Sequence, residues 1–258
     1  MTNRRIFFGV VGLSVVLVIL VIGNIFFSVK KIIPSSIIVS QNAARINQLD
    51  EAIAKSNSLK IGQSIFTVNE EKVARSLEKE FYDIQVLNVE KTMPSIVYVD
   101  YKLLEEEIEI SNGSTYFQAS TTGRVLNTSS YSKVDRDGQK LIKMKYAKLD
   151  SSIVKQGYDI NLQNFDYVSS LIEYMTDGSN DFFTTFFTDN VENIDLNSID
   201  TEVDAKFVLN LKGTATPGRF EIYTNNKIST ISDLILEHIG EVIEGKSYSI
   251  KGNGATLI

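Results

Sequence analysis

The side chains that could do chemistry in this chain are few and scattered. His238 is the only histidine, and there is no cysteine, so thiolate metal sites, disulfides and cysteine nucleophiles are excluded. His238 falls on or beside the apolar stripe of a helical run, and one imidazole builds no zinc site without converging carboxylates. Asp135-Arg136-Asp137-Gly138 opens like a calcium loop. Tyr146 stands where the bidentate glutamate of such a loop belongs, so turn chemistry is the better reading. Gly213 to Arg219 has the spacing of a phosphate loop, but Arg219-Phe220 follow where Lys and Ser or Thr are needed. Glu105, Glu106 and Glu107 are adjacent on an extended run and point to alternate faces, whereas an acid–base pair must converge across a cleft. Phe182, Phe183, Phe186 and Phe187 suit one buried helix face better than a partner patch. No nucleophile–base pair is visible. The expectation is a non-enzyme with no metal, no cofactor and no small-molecule substrate.

The elements that would position these residues begin with an uncharged run, Ile6 to Phe27. At about 1.5 Å per residue it would span roughly 33 Å, which predicts a transmembrane helix over 6–27 behind a short tail, 1–5. No small-residue cleavage site follows, and Arg4 and Arg5 favour a cytoplasmic N-terminus. The expected localisation is a single-pass protein of the cell membrane with its C-terminal domains extracytoplasmic. The 258 residues hold 26 basic and 32 acidic side chains, a net charge of −6. With Arg4, Arg5, Lys30 and Lys31 set aside, 22 basic residues face 32 acidic ones. That balance predicts repulsion from anionic lipid and no nucleic-acid binding.

Beyond the run, Ile37-Ile38-Val39 is a short strand candidate, and Asn42 to Ser56 reads as a helix with Ile46, Leu49 and Ile53 on one face. Asn69 caps a second helix with Glu70 and Glu71 in its first turn, Val68 and Val73 at staple spacing, and Val73, Leu77 and Phe81 as its stripe. Ile84–Lys91 and Ile96–Leu104 make a hairpin around Met93-Pro94-Ser95. A composition break near Ile108 separates this α+β unit, 32–108, from a β-rich region, 109–258. That region offers short strands at Tyr116–Ala119, Arg124–Leu126, Lys140–Leu149, Val203–Lys212 and Arg219–Tyr223, with a helix near Leu162–Met175. An amphipathic helix over Ile231–Ile243, with Thr230 and Asp233 as a capping box, precedes a last strand at Tyr248-Ser249-Ile250.

Three stretches carry a resemblance. Lys60–Tyr101 reads KIGQSIFTVNEEKVARSLEKEFYDIQVLNVEKTMPSIVYVDY, a glycine, an apolar pair, a capped helix, a strand, a proline at the hairpin and a second strand. Tyr116–Leu126 reads YFQASTTGRVL, and the C-terminus places Lys227, an amphipathic helix and then SYSIKGNGATLI. This order resembles the FtsQ/DivIB family of bacterial division proteins, which have one membrane helix, a POTRA domain and a β domain. Tyr101-Lys102-Leu103-Leu104 departs from the proline-containing turn that often closes the family's hairpin.

The resemblance implies an α+β fold: a transmembrane helix, a β-α-α-β-β POTRA-like domain, then a mixed β-rich domain with a C-terminal amphipathic helix and a final edge strand. It implies a divisome scaffold at the septum that binds FtsB/DivIC-like and FtsL-like partners and helps to control septal wall synthesis. The implied contact is strand addition along Tyr248, Ser249, Ile250, Lys251, Gly252, Asn253, Gly254, Ala255 and Thr256, with Tyr248 and Ile250 giving specificity. The competing reading is a membrane-anchored extracytoplasmic binding or sensor domain of another envelope system.

Overall fold

The computed structural model describes residues 2–37, 43–176, 185–213 and 218–258, with side chains from Leu13 onward. It opens with helix α1 (Thr2–Phe26). Among the described residues no helix is long and apolar enough to cross a membrane. The expected transmembrane helix over 6–27 is corrected accordingly, and so is the single-pass placement in the cell membrane that followed from it.

The chain forms two compact units, Met1–Leu104 and Glu105–Ile258. In the first, β1 (Lys31–Ser36) is followed by α2 (Ala43–Ala54), a 3-10 turn (Ile65–Thr67), α3 (Glu70–Glu80), β2 (Ile84–Thr92) and β3 (Ile96–Leu103). The strand order is β1-β3-β2, with β1 parallel and β2 antiparallel to β3. The first strand lies earlier than the sequence suggests: it ends at Ser36, and Ile38-Val39 fall outside the described residues.

Alternation along β3 buries Val97, Val99 and Tyr101 against Leu49 and Ile53 of α2 and Val73 and Leu77 of α3. The Asn69 side chain accepts the Lys72 N–H at 2.8 Å, the cap that the sequence predicts. Val68 and Val73, its staple positions, are both buried. Tyr101 donates its hydroxyl proton to Asp50 at 2.8 Å; burial, then that carboxylate, pushes its ionisation far above the ordinary phenol range. Glu78 accepts the Val86 N–H at 2.8 Å, which occupies a main-chain donor on the outer side of β2.

The second unit contains β4 (Ile108–Ser111), β5 (Tyr116–Ala119), β6 (Val125–Ser129), α4 (Lys133–Asp137), β7 (Ile142–Lys145), α5 (Phe165–Thr176), α6 (Phe186–Asp189) and β8 (Val191–Asp195). Then come β9 (Lys206–Leu211), β10 (Arg219–Tyr223), α7 (Ile228–Ile243), β11 (Tyr248–Lys251) and β12 (Gly254–Leu257). All its strands join one mixed sheet in the order β12-β11-β10-β9-β8-β7-β4-β5-β6. Residues alternate, so Ile108, Phe117, Met144, Phe207, Leu209, Phe220 and Ile250 are buried with Val168, Leu171 and Ile172 of α5 and Ile231, Ile235 and Val242 of α7. Their neighbours Lys143, Lys206 and Glu221 stay at least partly exposed.

Local expectations fare unevenly. Helix α7 starts at Ile228 after Lys227, so Thr230 and Asp233 lie inside it and form no capping box. Gly245, at φ 104°, follows its end in the left-handed conformation that glycine reaches without strain. Asp135 and Asp137 sit in the five-residue α4, closed by Gly138 at φ 68°, which is turn chemistry as read. Phe186 and Phe187 are core residues; Phe182 and Phe183 lie outside the described residues.

The unit boundary precedes Glu105, and β4 contributes fully buried Ile108 to the second core. A fragment of residues 105–258 is expected to melt cooperatively by itself. One beginning at Ile110 loses Ile108 and Glu109, and deleting a buried isoleucine costs about 2–5 kcal/mol. Calorimetry should show the shorter fragment melting well below the longer one; equal midpoints would place the boundary wrongly.

Candidate functional site: the C-terminal sheet edge

The C-terminal segment folds as a hairpin, which shifts the expected edge. Gly252, at φ 67°, and Asn253 form a two-residue turn, and β12 returns antiparallel to β11. Tyr248, Ser249, Ile250 and Lys251 therefore lie between β10 and β12 and are not themselves an edge. Gly254, Ala255 and Thr256 do lie on the edge strand, and Leu257 completes it.

The two side chains expected to contact a partner are occupied within the fold. Ile250 is fully buried, and Tyr248 is 7% exposed. The Tyr248 ring stacks on His238 at 4.4 Å between centroids, and its hydroxyl donates to Glu241 at 2.6 Å. Lys246 donates to the same carboxylate oxygen at 2.7 Å, holding Glu241 below its ordinary carboxyl value. His238 is thus a packing residue that fixes β11 beneath α7.

Hydrogen-bond parity identifies what the edge offers. The Ile258 N–H reaches the Ser247 carbonyl at 2.9 Å, and the register pairs Ser249 with Thr256 and Ile250 with Ala255. Hydrogen-bonded and non-hydrogen-bonded pairs alternate in an antiparallel ladder. Gly254 and Thr256 therefore spend their main-chain groups on β11, while Ala255 and Leu257 turn their N–H and C=O groups outward. Opposed residues share a face, so Ala255 and Leu257 point their side chains to the helix-covered side, as Ile250 and Tyr248 do. Leu257 is 57% exposed there.

The opposite edge is differently furnished. Val125 of β6 donates to the Tyr158 carbonyl at 2.9 Å and accepts from the Gly157 N–H at 2.8 Å, and Gln156 reaches the Leu126 carbonyl at 2.8 Å. The loop 155–159 thus lies along the first part of β6. Of the two edges of this sheet, β12 is the one left without such a cover among the described residues.

Asn226, which the sequence reading passed over, anchors the hairpin. Its side chain donates to the Ile250 carbonyl at 3.0 Å and accepts the Gly252 N–H at 2.6 Å. Its own carbonyl accepts from the Tyr167 hydroxyl at 2.6 Å, joining α5 to the turn. Only its place in a short loop, TNNK, hints at this, because asparagine is common where a side chain must bond nearby main chain.

The polar face of the sheet holds a second feature. Glu109 is buried and accepts from the Ser132 hydroxyl at 2.5 Å, the Lys133 N–H at 2.8 Å and the Gln118 amide at 3.0 Å. These bonds tie the start of α4 to β4 beside a cleft of about 210 Å³ lined in part by Tyr116, Lys143, Glu192 and Asn193. Among the described residues no three His, Asp or Glu side chains converge as metal ligands. Of the acidic run, Glu107 accepts the Thr121 N–H at 3.0 Å and Glu106 pairs with Lys133 at 3.0 Å, so the two are engaged with different partners.

Farther along the same face, Lys206 donates to Glu221 at 2.6 Å and Arg219 reaches its other oxygen at 2.9 Å. The Lys206 hydrogen bond holds the Glu221 carboxyl below its ordinary value of 4.5. A depressed carboxyl adds stability above its unfolded pKa and loses it as pH falls through the folded one. The parent should therefore lose Tm more steeply than Glu221→Gln between about pH 5 and about pH 3. Parallel slopes in a pH series of thermal melts would refute this.

No protein-family model matches this sequence, and no curated protein aligns with it significantly.

Proposed function

We propose that the chain is a non-catalytic scaffold of the FtsQ/DivIB kind. Its C-terminal sheet accepts an extended segment of a small FtsB/DivIC-like partner, with an FtsL-like protein in the same assembly, and so helps to control septal wall synthesis. The observation that carries this reading is the open β12 edge, where Ala255 and Leu257 present unpaired main-chain groups. The β-α-α-β-β order of the first unit supports the same family reading.

The edge supplies affinity through main chain, and its alternate side chains supply selectivity. A strand laid beside β12 meets Ala255 and Leu257 on the helix side and Thr256 on the other. Hydrogen exchange with and without a soluble FtsB/DivIC-like segment tests the reading. The Ala255 and Leu257 amides should slow by about tenfold or more on binding. Binding that protects other amides and leaves these two unchanged rejects the edge. No binding of any such segment rejects the division role.

A further inference from the structure

The first unit has one end built unlike the rest of the chain. Three segments meet there through main-chain bonds. Ile65 N–H reaches the Phe27 carbonyl and Gly62 N–H the Val29 carbonyl, both at 2.8 Å, and Lys30 N–H reaches the Ser95 carbonyl at 2.8 Å. The segments bring large apolar side chains to the surface: Phe26 is 53% exposed, Ile61 65%, Phe66 63% and Met93 51%. The Phe27 ring lies 5.2 Å from both Phe26 and Phe66, so the aromatic part is continuous.

The charged side chains that these segments themselves carry are of one sign, while Glu80 reaches in to Ser56 and Ser58, and Glu70 pairs with Lys91 beside Val68. Lys30, Lys31 and Lys60 are exposed, and the Lys30 ammonium sits 5.8 Å from the Phe26 ring centroid. Residues 24–37, 55–68 and 92–97 contain no aspartate or glutamate, in a chain where acidic side chains outnumber basic ones 32 to 26. The net acidity that predicts repulsion from anionic lipid is an average, and this end does not share it. Exposed aromatic and aliphatic tips with lysines in the same segments have the chemistry of an interfacial contact, with rings among headgroups and ammonium groups on phosphates.

We propose that this end of the first unit seats on an anionic phospholipid surface. The contact is peripheral: Phe66 and Ile61 enter the headgroup region, and Lys30, Lys31 and Lys60 meet lipid phosphates. It requires no helix to cross, and it is independent of the sheet edge in the second unit.

The chain contains no tryptophan, so one introduced indole reports its own surroundings. Full-length Phe66→Trp is mixed with vesicles of phosphatidylcholine alone or with phosphatidylglycerol added. Expected are a blue shift and quenching by acyl-brominated lipid only when phosphatidylglycerol is present. Ile61→Trp should behave alike, and Tyr174→Trp, at a 52% exposed position of the second unit, should not respond. Replacing Lys30 and Lys60 by glutamine should lower the partition coefficient about fivefold for each lysine. Indoles at 66 and 61 that ignore the anionic vesicles overturn the proposal, as does an equal shift with phosphatidylcholine. A shift that follows protein concentration without lipid also overturns it and makes this end a contact between copies of the chain.

Discussion

Leu257→Pro should weaken capture of an FtsB/DivIC-like segment by about tenfold or more while leaving the fold intact, because proline deletes an outward donor worth about 1 kcal/mol and adds ring bulk at the edge. Adding Ala255→Pro should bring the loss to about a hundredfold, since the second outward donor goes too. Thr256→Pro is the informative contrast. Its N–H faces β11, so the change breaks the internal ladder and should lower Tm as well as binding. Tyr248→Pro belongs to the same destructive group, because Tyr248 lies inside the sheet and under α7. Titration calorimetry on variants with unchanged circular dichroism decides the matter. A folded Ala255→Pro, Leu257→Pro double variant that binds like the parent removes β12 from consideration.

The second large effect falls on Gly218. Its N–H donates to the Val242 carbonyl at 3.1 Å, and a Cβ there would lie 1.8 Å from the Lys246 carbonyl oxygen and 2.6 Å from that of Val242. Both obstacles are main chain, so no side-chain rotation relieves them. The start of β10 and the end of α7 must separate to admit one methyl group. Gly218→Ala is expected to cost about 3 kcal/mol or more, at the upper end of overpacking penalties. In a chain of this size that corresponds to a Tm lower by roughly 6–12 °C. A melt within about 2 °C of the parent would show that the junction yields easily.

What the sequence made legible was local. The cap at Asn69, the staple of Val68 and Val73 and the hairpin around Met93-Pro94-Ser95 need only neighbouring residues to be read, and the structure has all three. The C-terminal hairpin was not legible in the same way. Gly252-Asn253-Gly254 reads as the end of a strand, because glycine is poor strand material; its alternative as a two-residue turn depends on Ala255-Thr256-Leu257 finding β11. Which amides face outward follows from pairing parity, so Leu257 could not be singled out before the register was known. Gly218 is legible only through contacts with Val242 and Lys246, far along the chain. At the N-terminus, hydropathy measured an uncharged length, and among the described residues no helix is long and apolar enough to cross a membrane.

The cover over β6 sets a limit on assembly. A subunit with two adhesive edges can join neighbours on both sides and grow without end, as open head-to-tail contacts do. Among the described residues loop 155–159 is bonded to Val125 and Leu126 at the start of β6, whereas β12 carries no such cover. One guest strand saturates it. Two copies meeting β12 to β12 would close on themselves, each spending the edge of its second sheet that carries no loop.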